Sequence, residues 1–158
     1  MMTDRKLNTR EEADARYKWA IEDLYKDDED WKRDYELLKS RIPELTKFRG
    51  RLGESAEVLL SMQKLSDELN QLLEKVYVYA NQRYHEDTGN SIYQGLAGNA
   101  QSLSIQLDSA VVFEEPELLA IGKKTIDSWF TQNMDMQLLR HSWMKMKSFW
   151  YTASILKI

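Results

Sequence analysis

Apolar residues recur at alternating spacings of three and four along most of this chain, which is the pattern of one face of an α-helix. The longest series predicts a helix that begins after Ser55 as its N-cap and runs to about Tyr84. Its apolar positions are Met62, Leu65, Leu69, Leu72, Val76 and Tyr79. A stripe of this length is typical of an antiparallel helical hairpin or a coiled coil.

An earlier stripe predicts a helix that follows a run of acids at residues 27–30. Acidic side chains are favourable at the positive, N-terminal end of a helix dipole. The apolar positions of this helix are Trp31, Tyr35, Leu38, Ile42 and Leu45. Pro43 lies inside the stripe and predicts that the helix either kinks there or restarts with Pro43 in its first turn.

Two further helices are predicted after the turn residues 87–89. The third helix has Asn90 or Ser91 as its cap, and its apolar face carries Tyr93, Leu96, Ala100, Leu103, Leu107 and Val111. The fourth places Pro116 in its first turn among glutamates and closes at Asn133. Its apolar side carries Leu119, Ile126, Trp129 and Phe130.

The sequence therefore predicts an all-α fold, an antiparallel helical bundle or set of long helical hairpins with no sheet. Six glycines and two prolines in 158 residues are too few for the turns of a many-stranded sheet. We predict a flexible N-terminal arm at 1–16, a helical domain at 17–141 and an atypical tail at 142–158. Aromatic and apolar residues pin the arm to the domain, namely Tyr17, Trp19, Leu24 and Tyr25.

Composition and charge narrow the function classes. The formal net charge of −4 gives no electrostatic reason to expect a nucleic-acid partner. The chain has no cysteine, which removes disulfides and thiol nucleophiles. Its polar start lacks the apolar core of a secretory signal, and no apolar run reaches the ~18 residues of a membrane helix. We therefore expect a soluble, cytoplasmic protein without a membrane partner.

The most suggestive chemical motif is His85-Glu86, which begins like the H-E-x-x-H helix of a zinc peptidase. The second histidine position holds Gly89, and the only other histidine is His141. A catalytic zinc site needs three protein ligands and one open position. The sequence therefore predicts a turn between two helices here, and no catalytic, cofactor-binding or metal-binding residue in the chain.

The other candidate catalytic or ligand-binding residues are explained more simply by structural roles. No G-x-S-x-G elbow and no glycine-rich phosphate loop occurs, and Gly50 and Gly53 are expected to end a helix. The acids at 27–30 are expected to be a solvated surface cluster, and Tyr79 to be core with its hydroxyl reaching outward. The basic and aromatic tail fits a membrane surface or nucleic-acid bases less well than incompletely packed core; it includes Trp143, Lys145, Lys147, Phe149, Trp150, Tyr151 and Lys157.

Six segments in this order resemble the N-terminal helical region of oligoendopeptidase F, a zinc metallopeptidase of the thimet oligopeptidase-like clan. They are "YKWAIEDLY" at 17–25, Trp31, "FRGRL" at 48–52, "EKVYVYA" at 74–80, "DTGNSIYQ" at 87–94 and "FEEPELLAI" at 113–121. The resemblance covers roughly residues 17–140. It implies a nearly all-helical protein that hydrolyses short peptides in a channel, with zinc held by an H-E-x-x-H helix and a later glutamate.

None of those zinc residues has a counterpart here, so the resemblance carries over no site residue and no cofactor. It implies the scaffold that walls and lids the channel, inactive by itself. The change to basic and aromatic residues after about Ser142 leads us to the hypothesis of a truncation or frameshift over 142–158. Family members instead continue with a charged helix.

Three readings follow. The chain is an inactive peptidase-derived domain, or half of a split enzyme with a separately encoded catalytic part, or a stand-alone helical interaction module. Apolar surface left uncovered in a fragment favours association. We therefore predict a dimer or higher oligomer, with the helix at 55–85 or the aromatic tail at the contact.

Overall fold

The computed structural model describes residues 14, 16 and 18–136, and this part of the chain contains five α-helices and no strand. The helices are α1 Asp28–Leu45, α2 Ala56–Glu86, α3 Ser91–Val111, α4 Glu114–Ala120 and α5 Lys123–Gln132. Short 3-10 turns cover Ile21–Asp23 and Thr46–Phe48. The predicted all-α class is confirmed. Nearly all of the predicted arm and the whole of the predicted tail at 142–158 lie outside the described residues.

The chain divides into two compact units that the apolar stripes did not predict. The first unit comprises residues Met1–Ile42 and Leu69–Asp108, and the second comprises Pro43–Glu68 and Ser109–Ile158. Each unit has a core of its own.

The core of the first unit is rich in aromatic residues. Trp31 of α1 is buried, and its indole N–H donates to the backbone oxygen of Val76 on α2 at 2.8 Å. The rings of Tyr25 and Tyr79 meet edge to face, with centroids 5.3 Å apart. The buried members of this cluster are Tyr25, Trp31, Val76, Tyr79, Ala80 and Ala100.

Within the first unit, α2 and α3 form the antiparallel hairpin that the stripes predicted. The Tyr77 hydroxyl lies 3.1 Å from the side-chain oxygen of Gln101. Nearer the turn, the Arg83 guanidinium lies 5.6 Å from the centroid of the Tyr93 ring. The contacting residues of α2 and α3 are closer together in sequence near the connecting turn, as is expected for two antiparallel helices.

The core of the second unit is mainly aliphatic. Its buried members come from the loop after α1, from the start of α2 and from residues 113–136. They are Leu52, Ala56, Leu59, Leu60, Met62, Phe113, Leu118, Ile121, Ile126, Phe130 and Met136. Removing these side chains from water is the main stabilising contribution of such a cluster.

Local signals placed both ends of α2 and the start of α3 correctly. The Ser55 hydroxyl accepts the N–H of Val58 at 3.3 Å, so Ser55 caps α2 as predicted. The Asn90 side chain accepts the N–H of Ile92 at 2.9 Å and caps α3. These caps satisfy backbone donors that have no partner within the helix.

The structure excludes one of the two alternatives predicted at Pro43. The helix does not restart there, because α1 continues through Pro43 and ends at Leu45. Proline removes one backbone hydrogen bond near the end of the helix, while Ile42 and Leu45 on either side of it are buried. Burial of both neighbours holds the last turn in place.

The predicted fourth helix is wrong as a single element. It is two helices, α4 and α5, separated by Ile121 in extended conformation and by Gly122 as the N-cap of α5. Leu119, predicted to face the core, is 37% exposed, and Leu118 is fully buried instead. Because the break changes the helical phase, a single apolar stripe drawn through α4 and α5 predicts the wrong buried residue in α4. Asn133 closes α5 as predicted.

Trp19, which was predicted to help attach the arm, is 66% exposed. Ile21 and Tyr25 are the buried residues of this segment, and Leu24 packs partly against the first-unit core. Tyr17 lies outside the described residues.

In the part of the chain that the structure describes, no helix has the length and apolar character to cross a membrane.

Candidate functional site

The motif that begins like a zinc-peptidase helix lies at the end of α2 and in the turn that follows. His85 occupies the last turn of α2 and is exposed. The Glu86 carboxylate lies 3.6 Å from the Arg83 guanidinium. Gly89 is in the turn, where its N–H donates to the Asp87 side chain at 3.1 Å. The interpretation as a connection between two helices is confirmed.

Across residues 18–136 and the two described positions before them, no group of three or more histidine, aspartate or glutamate side chains is arranged to hold a metal ion. His141, the other candidate imidazole, lies outside the described residues. Several of the described carboxylates instead bind tyrosine hydroxyls, backbone N–H groups or a glutamine side chain.

One of these contacts belongs to a tyrosine–aspartate–arginine network in the first unit. The Tyr79 hydroxyl donates to Asp28 at 2.8 Å, and Nε of Arg83 donates to the same hydroxyl at 3.2 Å. Tyr79 is fully buried. Burial chiefly raises the pKa of Tyr79 to about 12, with the Arg83 hydrogen bond opposing and the Asp28 hydrogen bond adding to it. The hydroxyl is therefore a protonated structural donor at neutral pH.

This network corrects two expectations. Asp28 was expected to be solvated with its acidic neighbours, but it is partly buried and binds Tyr79. The Tyr79 hydroxyl was expected to reach outward, but it is held by Asp28 and Arg83. Asp27 remains exposed and accepts the N–H of Asp30 at 2.9 Å, so it caps α1.

A second tyrosine–carboxylate contact lies in the same unit. The Tyr25 hydroxyl donates to Asp34 at 2.9 Å. Nζ of Lys75 lies 3.6 Å from the same carboxylate and 4.1 Å from the centroid of the Tyr25 ring. Burial first, then Asp34, raises the pKa of the Tyr25 hydroxyl. These groups line a cavity of about 340 Å³ that also carries further acids and bases.

The second unit uses carboxylates in another way. The two side-chain oxygens of Glu117 on α4 accept the backbone N–H groups of Gly50 and Leu52, the latter at 3.3 Å. Gly50 has a φ of +79°, which favours glycine. Backbone N–H groups of the loop "FRGRLG" thus bind a carboxylate, and this carboxylate is the Glu117 side chain of the same chain. This contact stabilises the loop that follows α1.

Glu114 is a carboxyl group of the second unit whose pKa is raised. Nε2 of Gln63 donates to its Oε1. Burial chiefly raises the pKa of Glu114, the hydrogen bond from Gln63 opposes this, and the nearby Asp67 carboxylate adds to it. A carboxyl with a raised pKa beside a second carboxylate is also found in acid catalysts. However, a cavity of about 370 Å³ in this unit is lined by Glu117, Ile121 and smaller residues, not by Glu114 or Asp67.

Sequence reasoning missed these contacts, although the spacing contained a signal for them. Asp28 precedes Trp31 by three residues and so continues the apolar stripe of α1. Arg83 follows Tyr79 by four and continues that of α2. A charged residue on the buried face of a helix needs a partner. The stripe would have indicated that partners exist, but not which residues they are.

In the described part of this helical protein, polar side chains hold helices of the same chain together.

Comparisons with known proteins show which proteins this chain resembles. Oligopeptidase PepF of Bacillus subtilis strain 168 is 34% identical over 136 residues, which is 86% of this chain and 20% of that protein. The group B oligopeptidase PepB of Streptococcus agalactiae is 29% identical over 134 residues, 85% of this chain and 22% of that protein. No family model matches the sequence.

A solved structure agrees with these matches. The crystal structure of oligoendopeptidase F from Enterococcus faecium superposes with a TM-score of 0.70 and 27% identity over 77% of this chain and 24% of that one. The resemblance to oligoendopeptidase F is confirmed, and this chain is similar to a fragment of the proteins of that name. It spans about a fifth of the length of the curated relatives it matches.

Proposed function

We propose that this chain is the N-terminal helical scaffold, a wall or lid of the peptide channel, of an oligoendopeptidase F-like zinc metalloendopeptidase. In this role it holds no zinc and hydrolyses no peptide by itself. The proposal rests mainly on how much of each protein the sequence match covers. The match to Bacillus subtilis PepF takes in 86% of this chain but only 20% of that protein. The zinc residues that the family resemblance implies therefore belong to the remaining part.

The contacts of the described carboxylates and tyrosines support a scaffold role. Asp28, Asp34 and Glu117 each accept hydrogen bonds from groups of their own unit. Tyr25 and Tyr79 are buried with raised pKa values, which suits hydrogen-bond donors and not acid–base catalysts at neutral pH. These polar side chains hold the helices of each unit in a fixed arrangement, which is what the wall of a channel requires.

The proposal includes a partner and a compartment. The partner is a catalytic part that supplies the zinc ligands, whether it is joined to this segment or separately encoded. Short peptides would be substrates of the whole assembly. We also propose a cytoplasmic location, since a sequence without cysteine fits a reducing compartment.

A peptidase assay tests the proposal directly. The purified chain is incubated with zinc and a mixture of fluorogenic peptides, alone and together with a separately expressed remainder of Bacillus subtilis PepF. Full-length PepF is the positive control, and a chelator identifies metal-dependent turnover. We expect no turnover by the chain alone. Chelator-sensitive cleavage by the chain alone would overturn the proposal, and cleavage only on mixing would show that it supplies the scaffold in trans.

A metal-binding measurement separates inactivity from failure to load zinc. The chain is dialysed against zinc, desalted and analysed for bound metal beside its His85→Ala variant. We expect both proteins to retain far less than one zinc per chain. Stoichiometric metal that the His85→Ala substitution abolishes would place a metal site at the end of α2 and contradict the proposal.

The prediction of self-association is tested separately. Light scattering of the purified chain over a concentration series is expected to show a dimer or a higher oligomer. A monodisperse monomer at every concentration would contradict the predicted oligomer and remove the reading of the chain as an oligomerisation module. It would leave the scaffold proposal standing.

A further inference from the structure

We draw no further inference here: the strongest candidate, the exposed and uncharged face of α3 around Gly95, Gly98 and Ser102, is a stripe of small residues, and nothing in the structure shows what covers it.

Discussion

The two units of this chain solve the same problem, fastening helices together, with different chemistry. The first unit uses aromatic rings whose polar atoms reach a partner on another element, as in the contacts of Trp31 with Val76 and of Tyr79 with Asp28. The second unit packs aliphatic side chains and uses the carboxylate of Glu117 to hold the loop at Gly50 and Leu52. Buried aromatic residues with polar atoms need specific partners, whereas an aliphatic core needs mainly shape.

This difference predicts which substitutions each unit tolerates. The first unit is expected to be sensitive to the loss of single polar atoms. The second is expected to be sensitive to the loss of apolar volume and of one carboxylate. In each test below, the free energy of unfolding from urea denaturation is compared between a variant and a matched control from the same helix, the same unit or the same residue type.

The largest effect is expected for Leu118→Ala in the second unit. Leu118 is fully buried, and truncating such a side chain removes apolar contacts and leaves a cavity, a loss of about 2–5 kcal/mol. The control is Leu119→Ala, one residue further along α4, where the side chain is 37% exposed. We expect it to change stability by less than about 1 kcal/mol. Equal losses for the two variants would refute the phase assigned to α4.

The next effect concerns the first unit. Tyr79→Phe removes the hydroxyl that binds Asp28 and Arg83, so we expect a loss of about 1–3 kcal/mol from the partners left unsatisfied. Tyr77→Phe is the control on the same helix, because the Tyr77 hydroxyl contacts only the exposed Gln101 among the partners described for it. A Tyr79→Phe protein as stable as the control would show that the network adds nothing to ring packing.

A smaller loss is expected for Glu117→Gln. The amide keeps one accepting oxygen but turns a donor toward a backbone N–H of Gly50 or Leu52. We expect a loss of about 1–2 kcal/mol, within the range for hydrogen bonds to charged groups. Glu115→Gln also removes a negative charge from the first turn of α4, but from an exposed position. If both variants lose the same stability, the effect is that of the helix dipole and not of the loop contact.

Glycine substitutions are expected to change stability in opposite directions at two positions, with the smaller change at Gly98. Gly98 lies within α3, and a Cβ there would meet no atom within 4 Å. Gly98→Ala is therefore expected to stabilise the chain by about 0.5–1 kcal/mol. Gly50→Ala is the contrasting variant, because its φ of +79° is unfavourable for a residue with a Cβ, at a cost of about 1–2 kcal/mol. Destabilisation by Gly98→Ala would show that something in the protein already occupies that space.

The last effect is a dependence on pH that belongs to the second unit. The pKa of Glu114 is raised in the folded chain above its ordinary value of 4.5, so the folded state binds more protons than the unfolded state between those two values. Stability contributed by protonated Glu114 is thus fully present below pH 4.5 and is lost as the pH rises through the folded pKa. We expect unfolding measured from pH 4 to 8 to show this loss, and Glu114→Gln to remove it.

The variant also gives the sign of the effect at neutral pH. Glu114→Gln keeps an oxygen for Gln63 and carries no charge to bury beside Asp67, so it is expected to be more stable than the parent at pH 7. Asp67→Asn is the matched variant, because it removes the neighbouring charge while leaving Glu114 in place. A parent and a Glu114→Gln protein with parallel pH profiles would contradict the raised pKa.

Much of the helical arrangement was predictable because its signals are local. The apolar stripe of α2, the cap at Ser55 and the closing residue Asn133 are each read within a few positions of the helix they define. The stripe failed where two helices follow one another closely, at Ile121 and Gly122, since a single phase cannot describe both. The short motif at His85-Glu86 likewise showed that position 89 holds a glycine and not a second histidine.

The sequence by itself determined the helical class, the family resemblance and the turn at residues 87–90, because periodicity, caps and short motifs depend on neighbouring residues. Only the tertiary structure decided which carboxylate each polar group meets. Asp28 and Tyr79 are 51 positions apart, and Glu117 and Gly50 are 67 apart. Contacts at such separations depend on how helices pack, and a charged residue on a buried stripe indicates only that a partner is needed.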